Sequence, residues 1–155
     1  MIVLLYATGT MGQVTHPFVF QNLSLSDIAP IYGIDQDDDG IIWISANNGL
    51  YNFDGYRCIP HTTANTENVG YCVLAFHDEI LMGGEHGLSV YNRKSDRYIR
   101  VEGVQPHNIK AILRQGDKIF VGGEKGLFIY NNDKRTLKLV PAVPKNVLSL
   151  AIYGN

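Results

Sequence analysis

The hydrophobic and polar positions of the chain alternate in short apolar segments separated by turns. The segments "IIWIS", "ILMGG" and "IFVGG" are each followed closely by polar residues or glycine. No apolar spacing of three or four residues persists along the chain, so the pattern does not indicate amphipathic helices. Short apolar runs bounded by Gly, Asn and Asp are typical of β-strands joined by tight turns. The pattern therefore predicts an all-β protein.

A repeat of 38 to 39 residues organises these segments, since 41–56, 80–98 and 119–137 align with one another. The alignment places Trp43, Leu81 and Phe120 in one register, and it superimposes the pairs Gly49-Leu50, Gly87-Leu88 and Gly126-Leu127. Each unit contains four apolar segments, and four antiparallel strands per roughly 40 residues make the blade of a β-propeller. The glycine of each pair is expected to supply a positive φ at a hairpin turn.

The predicted fold is an incomplete β-propeller of about three four-stranded antiparallel blades plus the first strand of a fourth. The blades are assigned to 29–61, 69–101 and 108–140, the extra strand to 146–155, and a strand that would complete the last blade of a closed ring to 13–28. Three blades do not close a ring, so two sheet faces are expected to stay open. The rest of a larger propeller, or a second copy, is the expected partner at these open edges.

Residues 1–12 begin with an apolar run and continue with small residues. They resemble the second half of a secretory signal peptide, although a basic leader is missing. The alternative is an ordinary first strand. No stretch reaches the roughly 18 apolar residues of a membrane helix.

Composition narrows the classes of function. A net charge of −2 without a basic stripe argues against nucleic acid as a partner. The motifs of nucleophile elbows, phosphate-binding loops and dinucleotide-binding loops do not occur, so the sequence predicts no enzyme and no cofactor. Cys58 and Cys72 fall on the outermost strand of one predicted blade and the innermost strand of the next. We expect them to remain unbonded.

The acidic stretch from Asp35 to Asp39, followed by Gly40, has the opening pattern of a calcium loop. Counted from Asp35, position nine is Trp43 and position twelve is an alanine, so the closing ligands are missing. The sequence therefore favours a solvated hairpin turn and no metal site, with calcium as the alternative. Trp43 is expected to pack between blades, with stacking on a sugar as the alternative.

Polar pairs precede each Gly-Leu and link the second strand of a blade to the third. In a propeller these links lie on the same face as the loops between blades. The predicted ligand-binding residues on that face are Asn47, Asn48, His61, Glu85, His86, His107, Glu124 and Lys125. Their amides, carboxylates and imidazoles are suitable partners for sugar hydroxyls. Ordinary solvated loops are the alternative.

The repeat Asp-x-x-Gly-x-x-Trp-Ile-Ser-x-x-x-Gly-Leu resembles the two-component regulator propeller repeat over residues 18–155, although the second and third units lack the tryptophan. Members of that family are hybrid two-component sensors, whose periplasmic propellers are followed by a membrane helix, a histidine kinase, a receiver and a DNA-binding module. Many of them respond to oligosaccharides. The resemblance implies a truncated or fragmentary periplasmic sensor that signals only when joined to a kinase. A protein-interaction scaffold and a fragment of a propeller lyase or glycosidase are the alternatives.

Overall fold

The computed structural model describes residue 28 and residues 30–61, 69–102 and 107–153. The predicted signal peptide at 1–12 lies outside these residues. So does the strand assigned to 13–28, apart from its last residue. Within the described residues the protein contains strands and turns and no helix.

Twelve strands form three separate sheets of four. The first sheet contains β1 (Ile31–Gln36), β2 (Ile42–Ala46), β3 (Gly49–Phe53) and β4 (Cys58–Pro60). The second contains β5 (Gly70–Phe76), β6 (Glu79–Gly84), β7 (Gly87–Asn92) and β8 (Arg97–Ile99). The third contains β9 (Ile109–Gln115), β10 (Lys118–Gly123), β11 (Gly126–Asn131) and β12 (Thr136–Leu139). Each sheet pairs its strands antiparallel and in chain order, which confirms the three predicted blades.

The first strands of the three sheets lie side by side, because β1 contacts β5 and β5 contacts β9. The sheets therefore fan out from a common inner edge, with β4, β8 and β12 outermost. This is the arrangement of consecutive blades in a propeller. The inner edge is where residues from all three sheets come together.

Two of the core clusters lie between the sheets, and a third, built on residues such as Ile44 and Phe53, lies on the other face of the first sheet. Alternate residues of β6 face opposite neighbours: Ile80 and Met82 pack with Trp43 of the first sheet, whereas Leu81 packs toward the third. The core between the first and second sheets is built on Trp43, Leu50, Ile80, Met82 and Tyr91. The core between the second and third sheets contains Phe76, Leu81, Leu88, Val90, Ile109, Ile119, Val121, Phe128 and Tyr130. The alternation of a strand therefore serves two interfaces at once.

The glycines that end β6 and β10 let the next first strand approach closely. A Cβ on Gly83 would collide with the side chain of Ile109, and a Cβ on Gly122 would come within 2.6 Å of Val147 Cγ1. Gly49, Gly87 and Gly126 begin the third strands with φ angles of 123°, 116° and 122°. These angles lie in the region that favours glycine, as the repeat predicts.

The free face of the third sheet differs from the corresponding faces of the first two. Leu50 is 0% exposed and Leu88 is 7% exposed, because each is covered by the next sheet. Leu127 occupies the same repeat position in the third sheet and is only half-buried, and so is Phe120, which aligns with the buried Trp43 and Leu81. Within the described residues, no further sheet covers them.

Residues 146–153 form no strand, although the sequence assigns the first strand of a fourth blade to 146–155. Their first residues nevertheless dock as the repeat requires. Asn146 N donates to Glu124 O at 3.0 Å, as Asn108 N donates to Glu85 O at 3.0 Å, and both asparagines have positive φ. The first strand of each sheet pairs with the second strand of the same sheet, and no such partner occurs among the described residues. Regular pairing therefore stops here.

Replacing Gly87 with valine should destabilise the protein by about 1–3 kcal/mol, because a β-branched residue is strained at a φ of 116°.

Leu88→Ala should cost about 2–5 kcal/mol, because it leaves a cavity in a buried core. Urea unfolding monitored by circular dichroism measures both. Leu127→Ala is the matched control and should cost less, since its side chain is only half-buried. An equal cost for the two leucine variants would contradict the interpretation that the next sheet buries Leu88.

Candidate functional site

Three polar turns lie at one end of the sheets and form the candidate ligand-binding surface. Each turn joins the second strand of a sheet to the third, and all six residues are exposed. The turns consist of Asn47 and Asn48, Glu85 and His86, and Glu124 and Lys125. These six residues, together with the exposed His107, are called the polar-turn face.

Hydrogen bonds tie the polar-turn face to the starts of the first strands. Asn47 N donates to Pro30 O at 3.0 Å, just before β1 begins. Asn108, which precedes β9, donates from its backbone N to Glu85 O at 3.0 Å and from Nδ2 to Glu124 Oε1 at 2.8 Å. One asparagine thus connects the turns of the second and third sheets. The face is a defined surface in which residues from different blades are held in fixed relation.

His61, which the sequence places on this face, instead points between the first two sheets. Its ring lies 5.1 Å from that of Trp43 and 4.5 Å from that of Tyr91, and its Nε2 is 2.9 Å from Asn52 Oδ1. Burial lowers the pKa of His61, and the nearby Asp96 carboxylate opposes this effect. His61 is therefore a packing residue of the interface. Sequence position alone could not show this, because the chain reaches the correct end of the sheet while the side chain turns inward.

The acidic turn between β1 and β2 lies at the opposite end. The Asp37 side chain is 1% exposed and accepts hydrogen bonds from Trp43 Nε1 at 2.7 Å and from Arg93 Nη1 at 2.6 Å. It also accepts from the backbone N of Asp39 and of Ile41. The interpretation of this stretch as a solvated turn is wrong for Asp37, which connects the first sheet to the β7–β8 turn of the second.

A second ion pair connects the second sheet to the third. The Glu79 carboxylate, with its side chain 6% exposed, pairs with the Arg135 guanidinium. In both pairs the arginine follows the acid by 56 residues. The acids and the arginines come from different repeat positions, so the alignment of the blades does not reveal them. The sequence pattern carries no signal for these pairs, since each acid lies far along the chain from its arginine.

A groove of about 440 Å³ lies at the same end as the ion pairs. It runs between Phe76 and His77 of the second sheet and the β9–β10 and β11–β12 turns of the third, where Asp117, Lys118 and Asp133 line it. The spacing of Asp117, Lys118 and Asp133 along the chain matches no catalytic motif. The groove and the polar-turn face are therefore two separate surfaces at opposite ends of the molecule.

The cysteines are free thiols in the structure. Burial raises the pKa of Cys72 to about 12 and also raises that of Cys58. At neutral pH both are protonated, so neither is an activated nucleophile. Among the described residues there is no group of three or more His, Cys, Asp or Glu side chains that could hold a metal ion. The described residues also contain no helix that is long and apolar enough to span a membrane.

Comparison with family models and with curated proteins gives no match. Among solved structures, the extracellular domain of BT4673 from B. thetaiotaomicron, described as a one component system and as a hybrid two component system, is 30% identical to this chain with a TM-score of 0.68. The match covers 78% of this chain and 17% of that one. The extracellular domain of the hybrid two component system BT3049 from the same organism is 17% identical, with a TM-score of 0.64 over 81% of this chain and 21% of that one. The computationally designed protein Ika4 is 14% identical, with a TM-score of 0.63 over 81% of each chain.

The fold and these comparisons define the class of the protein as an open arc of propeller blades. The resemblance found in the sequence repeat is confirmed: the chain is similar to extracellular sensor domains of hybrid two-component systems. It spans about 17% of the length of the first of these relatives.

Asp37→Ala should destabilise the protein by about 1–3 kcal/mol, because it removes the buried acceptor of Trp43 Nε1 and of the backbone N of Ile41. Arg93 would keep only the more exposed carboxylates of Asp39 and Asp78. Asp38→Ala in the same turn is the matched control, since Asp38 is exposed, and should shift stability by less than about 0.5 kcal/mol. Urea unfolding of both variants is the measurement. Comparable losses would show that Asp37 has no special role in joining the sheets.

Stability should fall as the pH drops below 6.5, the ordinary pKa of histidine, because the folded protein holds the pKa of His61 lower. Below pH 6.5 the unfolded chain therefore binds more protons at this histidine than the folded protein does. The contribution is present above 6.5 and is lost as the pH approaches the folded pKa. Urea midpoints between pH 7.5 and 5.5 should show this slope in the wild-type protein and a reduced slope in His61→Gln. His107→Gln is the control for loss of a surface imidazole, and an unchanged slope in His61→Gln would refute the assignment.

Proposed function

We propose that this chain is part of the ligand-sensing propeller of a hybrid two-component sensor and that its polar-turn face recognises an oligosaccharide. The observation that carries the proposal is the 30% identity to the extracellular domain of BT4673 over 78% of the chain. The matched part of BT4673 is the extracellular domain of a one component or hybrid two component system. This supports a non-catalytic role, and it supports an extracellular or periplasmic location.

The chemistry of the polar-turn face suits sugar hydroxyl groups. Asn47 and Asn48 offer amide donors and acceptors, Glu85 accepts, and Lys125 donates. These groups are exposed and belong to turns of different sheets. For a ligand that contacts two turns, specificity would come from hydrogen bonds to its hydroxyl groups rather than from the apolar area that it buries.

Signalling would use the link between turns and sheets. Because Asn108 hydrogen-bonds to the turns of the second and third sheets, a ligand that displaces or reinforces these bonds would favour one arrangement of the blades. In the whole sensor this preference would pass to a kinase. The remainder of the propeller, or a second copy, would cover the free face of the third sheet around Phe120 and Leu127.

An array of neutral and acidic oligosaccharides tests the proposal on the 155-residue chain. We expect selective binding to a subset of the sugars, and a Glu85→Gln, Asn47→Ala double variant should lower that affinity about tenfold, since it removes polar contacts from two turns. Asp38→Asn, at the opposite end of the sheets, is the matched control and should bind like the wild type. If no saccharide binds while a protein partner does, the chain is an interaction scaffold. Release of shortened sugar products would identify a propeller enzyme.

A further inference from the structure

Each first strand carries one residue that the pairing with the second strand skips. Ala46 pairs with Ile31 and Ser45 with Gly33, so Tyr32 has no partner. In the second sheet Gly84 pairs with Gly70 and Gly83 with Cys72, which skips Tyr71. In the third, Gly123 pairs with Ile109 and Gly122 with Ala111, which skips Lys110. A β-bulge leaves one residue of a strand unpaired in the ladder and can change the direction of its side chain.

The three bulge residues form a continuous row across the inner edge of the blades. Tyr32, Tyr71 and Lys110 are spaced 39 residues apart. The Tyr32 and Tyr71 rings meet edge to face with their centroids 5.6 Å apart, and Lys110 Nζ lies 3.2 Å from the centroid of the Tyr71 ring. Tyr32 is 46% exposed. We call these three residues the bulge row.

The bulge row lies at the inner margin of the polar-turn face. Tyr32 follows Pro30 by two residues, and Pro30 O accepts the hydrogen bond from Asn47 N. Lys110 follows Asn108 by two residues, and Asn108 holds Glu124. Tyr32 and Lys110 therefore each follow, by two residues, a residue that is hydrogen-bonded to a polar turn.

We infer that the bulge row binds the acidic group and one ring face of an acidic saccharide; this assignment rests on the proposed function. Among the described residues no carboxylate forms an ion pair with Lys110, while Tyr71 occupies one side of its ammonium group. The remaining donors suit a carboxylate or sulfate, which gives stronger hydrogen bonds than a hydroxyl group. The exposed ring of Tyr32 supplies an apolar surface for the C–H face of a sugar ring, and the phenol supplies a polar handle.

The test uses the 155-residue chain with trigalacturonate and with galactotriose, a neutral trisaccharide of the same ring configuration. Calorimetry should show about tenfold tighter binding of the acidic sugar or better, since the ammonium favours a charged acceptor. Lys110→Gln should bring the two affinities together, and Tyr32→Ala should weaken both. Lys118→Gln, an exposed lysine at the opposite end, is the matched control and should leave the preference unchanged. In nuclear magnetic resonance spectra, trigalacturonate should shift the ring signals of Tyr32 and Tyr71.

Failure of the bulge row and failure of the proposed function give different results. If the wild-type chain binds saccharides on the array but Lys110→Gln and Tyr32→Ala bind both trisaccharides as the wild type does, the bulge row is not the site and the polar-turn face remains. A wild-type chain that prefers the neutral sugar, or a Lys110→Gln variant that keeps the acidic preference, would also exclude the bulge row. If the wild-type chain binds no saccharide at all, the bulge row and the proposed function are both overturned.

Discussion

Burial of one sheet face by the next sheet is the interaction on which this fold depends. The second sheet contributes core residues to both of its neighbours, because the residues of its second strand point alternately to the first sheet and to the third. Ile80 and Leu81 are adjacent in sequence, are both 0% exposed and belong to different interfaces. Leu50 is buried and Leu127, at the equivalent repeat position, is half-buried, since among the described residues no further sheet packs on the third. Stability in such a repeat is a sum of interface contributions.

The ion pairs between neighbouring sheets constrain how the sheets align, which the apolar packing does less strictly. In each pair the acid lies at the hairpin between the first and second strands of one sheet. Its arginine lies in the turn between the third and fourth strands of the next sheet, as in Asp37 with Arg93 and Glu79 with Arg135. Removing water from an ion pair offsets much of its attraction, so the pairs are weak sources of net stability. A charge left without its partner is costly, however, which penalises any slip of one sheet along its neighbour. The pairs therefore define register between blades, a task that interdigitating aliphatic side chains perform less strictly.

The sequence predicts what is local and periodic, and it misses what is distant. The repeat length, the four-strand unit and the positive φ of Gly87 follow from spacing and from the conformational freedom of glycine. The burial of Asp37 does not, because its partner Arg93 lies 56 residues away and interrupts no pattern. His61 falls at the expected end of its sheet, yet its ring turns toward Trp43. The bulges that place Tyr32 and Tyr71 depend on cross-strand pairing, which hydrophobic periodicity does not encode.

The two ends of the strands differ in burial and in charge. At one end, buried carboxylates and arginines hold neighbouring sheets, so substitutions there should act first on folding. At the other end, exposed turns such as Asn47-Asn48 carry no core side chains and can change without disturbing the interfaces. The residues of the bulge row belong to first strands that also pack in the core. Each bulge inserts one residue into a first strand while the flanking pairs, such as Ile109 with Gly123, stay in place. A position skipped by the ladder is free of the volume constraints of the core. Successive blades can therefore present tyrosine, tyrosine and lysine at one repeat position while keeping the same interface, so a repeat protein can vary the chemistry of this position without altering its packing.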